Sequence, residues 1–218
     1  MPNRYRVNCD HFFKMDKNQQ SILSKLLTKY YPLSLKQLQR IIEACEIVSF
    51  KRQQHISETD QSDHSEYFLL DGIVHRYSLV EKGDFITTGF YVGPDILSPN
   101  FARTSDQKSI FSLQTLESST VARISVKKMD ALRDTDLDIR RWGQKVIELE
   151  LKKYFSHEIR FRSSNAKERL FKLREDYPNL ENRVPHSCIA SYIGITPVSF
   201  SRLRNELTQG NFLSNDKR

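Results

Sequence analysis

The chain counts 218 residues, 38% hydrophobic and 28% charged, with a formal net charge of +7. This length allows two modest domains with separate cores, and no run approaches the roughly 20 apolar residues of a membrane-spanning helix, so no membrane partner is expected. The N-terminal stretch MPNRYRVNCDHFFKMD is broken by charge and lacks the apolar segment of a secretory signal, which makes a cytoplasmic protein the expectation.

Helical periodicity comes first along the chain. Ile22, Leu23, Leu26 and Leu27 form one apolar stripe between about Asn18 and the break at Tyr30-Tyr31-Pro32. Ser34 stands where a cap belongs, and Leu38, Ile41, Ile42 and Cys45 follow it at helical spacing. From Ile47 to about Ser125 the pattern becomes strands and turns. IVSFKRQQHI reads as a strand, a basic turn and a second strand start. In EYFLLDGIVHRYSLV, Asp71-Gly72 separates two apolar runs, the signature of a hairpin. EKGDFITTGFYVG adds a Gly83-Asp84 turn, and SIFSLQTLESSTVARIS supplies two strands around Glu117-Ser118-Ser119. Many short strands without intervening helices imply a sandwich or barrel, not a parallel sheet.

A third region starts near Asp136. Ile139, Trp142, Val146 and Leu149 follow spacings of 3, 4 and 3, the rhythm of a helix packed on another helix. The stripe continues through Tyr154 and Phe155, for over five turns. A helix joining two subunits is the expectation; a helix folded back on its own β-domain is the plainer alternative. Ser163-Ser164-Asn165 interrupts the pattern, and AKERLFKLREDY forms a further helix ending before Pro178.

The segment Pro185–Leu207, PHSCIASYIGITPVSFSRLRNEL, reads as two short helices around a turn at Ile193-Gly194-Ile195. Thr196 caps the second helix, and Pro197 suits its first position because its missing N–H would have had no partner. At 100° per residue Phe200, Leu203 and Leu207 share one face, while Val198, Ser201, Arg202 and Asn205 take the opposite one. A polar, arginine-bearing helix braced by a partner suits a DNA major groove. The charge agrees: from Leu137 onward there are 16 Lys and Arg against 10 Asp and Glu, a net +6, and before it 18 against 17, a net +1. Cys9, Cys45 and Cys188 stand far apart with no C-x-x-C pair, which argues against a disulfide, zinc site or iron–sulfur cluster, and no cofactor is expected.

This order of elements resembles the Crp/Fnr superfamily of bacterial transcription regulators over nearly the whole chain. FKRQQHI with EYFLLDGIVHRY is similar to the family's barrel opening, NAKERLFKL to the helix entering the DNA-binding domain, and IASYIGITPVSFSRLRNEL to its reading unit. The spacing from Gly194 to Arg202 is the most specific part, and Thr196-Pro197 with Ser201-Arg202 resembles the versions common in Bacteroidetes members. The resemblance implies an α+β fold in three parts. Residues 1–135 would form a cyclic-nucleotide-binding-like, jelly-roll-like β-barrel with flanking helices. Residues 136–161 would form a long dimerisation helix, and 162–218 a helix-turn-helix domain. Only TQGNFLSNDKR follows Leu207, too little for a full β-wing, so a reduced winged helix is expected.

The resemblance further implies a cytoplasmic homodimer on a palindromic double-stranded operator, with RNA polymerase as a further partner. The helix from about Thr196 to Thr208 would enter the groove. Arg202 matches the position of an arginine that contacts a guanine edge, worth about 1–3 kcal/mol of discrimination. Val198 stands where the family often has a polar reader and could only pack on a thymine methyl, and Pro197 stands where some members have arginine. Thr196, Ser199, Ser201 and Asn205 would add base or phosphate contacts, with Arg204 nearer the backbone.

Members that bind cyclic nucleotides carry a cassette resembling F-G-E-[LI]-A, then Arg-Ser. Here the stretch is GPDILSPNFARTSDQKSIFS: Pro99 replaces the glutamate, and Lys108-Ser109 is the nearest stand-in for Arg-Ser. Lys108 and Ser109 are therefore the only effector-site candidates; regulation by cyclic AMP is not expected, and any other effector is unspecified. Two other classes compete. A cupin-like metal enzyme would need converging histidines, but His55, His64 and His75 form no H-x-H, Glu66 is a poor companion, and each histidine is expected to face solvent. A ligand-sensing or scaffold protein with a purely structural helix-turn-helix is the other. With no phosphate loop or serine elbow, the chain is expected not to be an enzyme.

Overall fold

The computed structural model describes residues 15–80 and 84–215, with side chains up to 208. The N-terminal stretch with Cys9, and Gly83 of the Gly83-Asp84 turn, lie outside the described residues. The chain opens with α1 (Lys17–Tyr30) and α2 (Leu35–Ala44). Asp16 and Ser34 each close a capping box, the Ser34 hydroxyl accepting from the Gln37 amide.

Ten strands follow, interrupted by one short helix: β1 (Glu46–Phe50), β2 (His55–Ser57), β3 (Ser65–Asp71), β4 (Ile73–Leu79), β5 (Phe85–Val92), β6 (Asp95–Ile96), α3 (Asn100–Arg103), β7 (Thr104–Ser105), β8 (Lys108–Ser109), β9 (Ser112–Thr115) and β10 (Ser119–Ser125). They make two antiparallel four-stranded sheets, ordered β1-β10-β3-β6 and β2-β9-β4-β5, with β7-β8 as a small ribbon. The expected hairpin at Asp71-Gly72 is a correction. β3 pairs with β10 and β6, β4 pairs with β5 and β9, and the turn carries the chain from one sheet to the other. Gly72 takes φ +107 at this corner, and a Cβ there would lie 2.7 Å from the Ser119 backbone. The true hairpin is β4–β5, closed by the Val80 amide donating to the Asp84 carbonyl at 2.9 Å.

Both faces of the β1-β10-β3-β6 sheet are covered, which explains the unbroken apolar run of β3. Tyr67 and Leu69 point between the sheets with Val48, Val74, Tyr91, Leu113 and Val121. Phe68 and Leu70 point outward, against α1 and α2.

The long helix α5 (Leu137–Ser163) starts near Asp136, as expected, and the Asp136 side chain caps it; the segment before it is helical too, α4 (Val126–Thr135), which has no clear sequence signature. The role expected for the first stripe of α5 needs correcting. Ile139, Trp142 and Val146 are buried against α1 and the barrel of the same chain, and the Trp142 indole donates to the Leu27 carbonyl at 3.0 Å. A second apolar stripe, Leu151, Tyr154, Phe155 and Ile159, lies farther along the helix and is 52–66% exposed. The first stripe of α5 thus packs on the chain's own barrel, as in the plainer alternative, while the second half of the helix carries the exposed stripe.

Candidate nucleic-acid interface

After α5 come α6 (Ala166–Asp176), α7 (Leu180–Arg183), α8 (His186–Tyr192) and α9 (Pro197–Asn215). Leu170, Leu173, Leu180, Val184, Cys188, Ile189, Ala190, Ile193 and Phe200 form their shared core. Full burial of a side chain such as Phe200 contributes roughly 1.5–3 kcal/mol to holding α9 on this core. α8 ends in a Schellman turn: Gly194, at φ +73, donates to Ser191 at 3.1 Å, and Ile195 donates to Ala190 at 2.9 Å. Arg169 locks this turn to the end of α5, its Nε donating to the Ile193 carbonyl at 2.8 Å and its guanidinium also reaching the Phe161 and Ser164 carbonyls.

α9 begins as the sequence predicts. The Thr196 hydroxyl accepts from the Ser199 amide at 3.1 Å, a cap worth about 1 kcal/mol. Thr196, Pro197, Val198, Ser199, Ser201, Arg202 and Asn205 are all exposed, and Val198 keeps 62% of its surface. Phe200 is buried, and Leu203 and Leu207 pack against the core, so the two faces separate as the helical wheel requires. Arg202 makes no hydrogen bond or ion pair with any other described residue and projects from the free face. Arg204 differs: it pairs with Glu181 at 2.5 Å and lies 3.3 Å from the His186 ring. Burial alone would lift the Glu181 carboxyl, but Arg174 and Arg204 hold it below the ordinary range, so Arg204 already has an anionic partner. α9 also runs past Thr208 to Asn215.

The unit carrying α9 is docked on the barrel. Ile73, Phe90 and Leu116 of the barrel belong to the same apolar cluster as Ile189 and Leu173. α8 covers the edge strand β5: the Ser191 hydroxyl accepts from the Thr87 amide at 2.9 Å and donates to the Phe85 carbonyl at 3.0 Å. The Tyr177 hydroxyl donates to the Phe90 carbonyl at 3.1 Å. Edge-strand groups that would otherwise stay unpaired are thus satisfied by the helical unit. The docking side of α8 is not the free face of α9, so the face with Arg202 stays open.

Inside the barrel the expected effector residues do not form a cradle. Lys108 is exposed on the β7–β8 ribbon, while Ser109 is buried and donates to Asp63 at 3.3 Å. Pro99 caps the short α3, which delivers Arg103 into the interior. Arg103 is fully buried. Its Nε and one terminal nitrogen donate to the two oxygens of Asp63 at 2.8 and 3.1 Å, it reaches the Ser98 and Ser65 carbonyls, and it lies over the Tyr67 ring at 4.7 Å. No sequence signal marked Arg103, since a single arginine in a turn-rich segment has no periodicity.

The histidines do not converge on one point. His64 is exposed; His55 bonds the Tyr77 hydroxyl at 2.8 Å; Glu66 is paired with Arg133 at 3.1 Å. His75, expected to face solvent, is buried, 3.1 Å from the Gln114 side chain. Among the described residues no three His, Cys, Asp or Glu side chains gather as a metal site would require. Burial raises the thiols of Cys45 and Cys188 to about 12 and 11, so both stay protonated and unreactive. No helix among the described residues is long and apolar enough to cross a membrane.

No family model matches the chain. It is 26% identical over 191 residues to the fumarate and nitrate reduction regulatory protein of Vibrio cholerae serotype O1, covering 83% of this chain and 75% of that protein. The same figures hold for its namesake in Yersinia pestis. Among solved structures, FixK2 of Bradyrhizobium japonicum matches with a TM-score of 0.67 at 18% identity, over 76% of this chain and 86% of that one. The c-di-GMP-responsive global regulator CLP of Xanthomonas campestris matches with a TM-score of 0.66 at 14% identity, over 82% and 93%. These structures support the fold alone. Barrel, long helix and C-terminal helical unit follow one another here in a fold similar to that of these proteins, and in sequence and fold the chain is similar to the Crp/Fnr transcription regulators.

Proposed function

We propose that the chain is a sequence-specific DNA-binding regulator acting as a homodimer in the cytoplasm, without control by cyclic AMP. The observation that carries this reading is the free face of α9: Arg202, without a partner among the described residues, set among Val198, Ser199, Ser201 and Asn205 on a capped helix whose other face is buried. Arg202 would read a base, Val198 would pack on a methyl group, and the hydroxyls of Thr196, Ser199 and Ser201 would meet phosphate or base edges. Arg204, held by Glu181, would orient the helix and contribute little to phosphate binding. The exposed stripe Leu151, Tyr154, Phe155 and Ile159 supports pairing through the second half of α5, which would set two half-sites about one helical turn apart. RNA polymerase remains a partner in this reading.

Independence from cyclic AMP is supported by the barrel interior, where Arg103 already neutralises Asp63 and Pro99 offers neither a carboxylate nor an amide donor. Selection of bound fragments from random DNA tests the reading. A palindromic winner is expected, and a selection that yields no common site would refute it. On that site Arg202→Ala should weaken binding by roughly ten- to a hundredfold, with little change on random DNA. Equal losses on both would reduce Arg202 to a phosphate contact.

A further inference from the structure

Three segments of the barrel wall converge on one carboxylate of the long helix. Oε1 of Glu150, on α5, accepts from the Ser98 hydroxyl at 2.7 Å, from Arg76 at 3.2 Å and from the Tyr91 hydroxyl at 3.3 Å. The donors come from β4, from β5 and from the turn after β6. Their arrangement is braced independently of Glu150. The Arg76 guanidinium donates to the Thr88 hydroxyl and carbonyl at 3.0 and 3.1 Å and to Ser98 at 3.2 Å, and it lies over the Phe111 ring at 5.2 Å. The Tyr91 and Ser98 hydroxyls are 2.6 Å apart. A guanidinium and two hydroxyls fixed in this way form an anion seat, and the chain's own carboxylate fills it.

The seat also sits between the two ends of the molecule. Toward the interior, Ser98 accepts from Arg103 through its carbonyl. Toward the reading unit, Arg76 grips Thr88 of β5, and the neighbouring Thr87 amide donates to Ser191 of α8. A cavity of about 30 Å³ beside Glu150, lined by Arg76, Tyr91, Lys153, His157 and Tyr192, has room for water but not for a nucleotide.

We propose that Glu150 is a tethered ligand, a carboxylate delivered by α5 into the Arg76–Ser98–Tyr91 seat, and that its occupancy holds the helix and the reading unit in their docked positions. The vacated seat takes a small monocarboxylate. Glu150→Ala deletes a CH2–COO group, so acetate has the size and charge of the missing piece. The stability consequence is independent of what the protein regulates; only the DNA consequence rests on the function proposed above.

The test uses the full chain, with sodium acetate as the probe and sodium chloride at equal ionic strength as the control. Glu150→Ala should melt roughly 5–10 °C below wild type, because Arg76 is left buried without its anion. Acetate should recover at least half of that drop with saturation, and should move neither wild type nor the Glu150→Ala, Arg76→Gln double variant. Should Glu150→Ala not fold, Glu150→Gln keeps an acceptor for Ser98 and Tyr91, and it should melt below wild type without responding to acetate. Unchanged melting of the single variant, or equal effects of acetate and chloride on it, overturns the tethered-ligand role. On the selected DNA site, Glu150→Ala should bind about tenfold more weakly than wild type, and acetate should narrow that ratio. A ratio of one, with wild type binding normally, overturns the hold on the reading unit. Acetate rescue of melting in a protein whose wild type binds no DNA leaves the seat intact and refutes only the function.

Discussion

Arg103→Met is expected to cost about 3–5 kcal/mol of folding stability, the range for removing one member of a buried ion pair. The guanidinium is fully buried and makes two bonds to Asp63 and further ones to two main-chain carbonyls. Without it, those carbonyls lose their donors and the Asp63 carboxylate keeps only neutral partners, the Tyr67 and Ser109 hydroxyls and the Ser65 amide. Most of the loss is the cost of leaving that charge uncompensated in the barrel. Adding Asp63→Asn to Arg103→Met should therefore recover a substantial part of it, and the two substitutions should be strongly non-additive. Urea denaturation of the wild type, both singles and the double closes the cycle. Single-variant losses below 1 kcal/mol would mean that the pair neither closes nor supports the barrel.

The features legible in the sequence share one property: their causes are local. Gly194, Thr196 and Pro197 act on backbone groups within a few residues, and the turn, cap and helix start all fall where those residues place them. Ser34 caps for the same reason. What misled were long-range choices. Asp71-Gly72 does mark a reversal of the chain, but a turn signal cannot say which strands pair, and β10 lies almost fifty residues farther on. The Ile139–Val146 stripe identified a helix without identifying its partner, which is α1 and the barrel of the same chain. The tethered Glu150 was invisible for a related reason. Its three donors are separated by up to 22 residues from one another and by 52 to 74 from the carboxylate, and nothing in their local sequence sets them apart.

Acidification should destabilise the protein through His75. Burial comes first among the causes, and the nearby His55 adds to it; together they outweigh the Gln114 bond and lower the ring to about 4. An unfolded histidine titrates near 6.5, so between about 6.5 and 4 the unfolded chain binds a proton that the folded chain excludes. Stability therefore rises with pH across this window. The penalty is absent above about 6.5, grows as the pH falls, and is complete below about 4. Its full size is about 3 kcal/mol at 1.36 kcal/mol per pH unit. His157, depressed by burial and by the charge of Arg76, acts in the same direction. Comparing urea midpoints of wild type and His75→Gln from pH 7 to 4.5 isolates the effect, since all other titrations are common to both. The wild type should lose distinctly more stability over that range, and matching slopes would show that the ring takes up its proton inside the fold. The consequence is directional because of where the ring sits. His75 lies on β4 opposite Phe90, which packs against the α8 unit, and it bonds to Thr87, whose amide donates to Ser191. A charge forced into that place loosens the barrel on the side that carries α8 and α9.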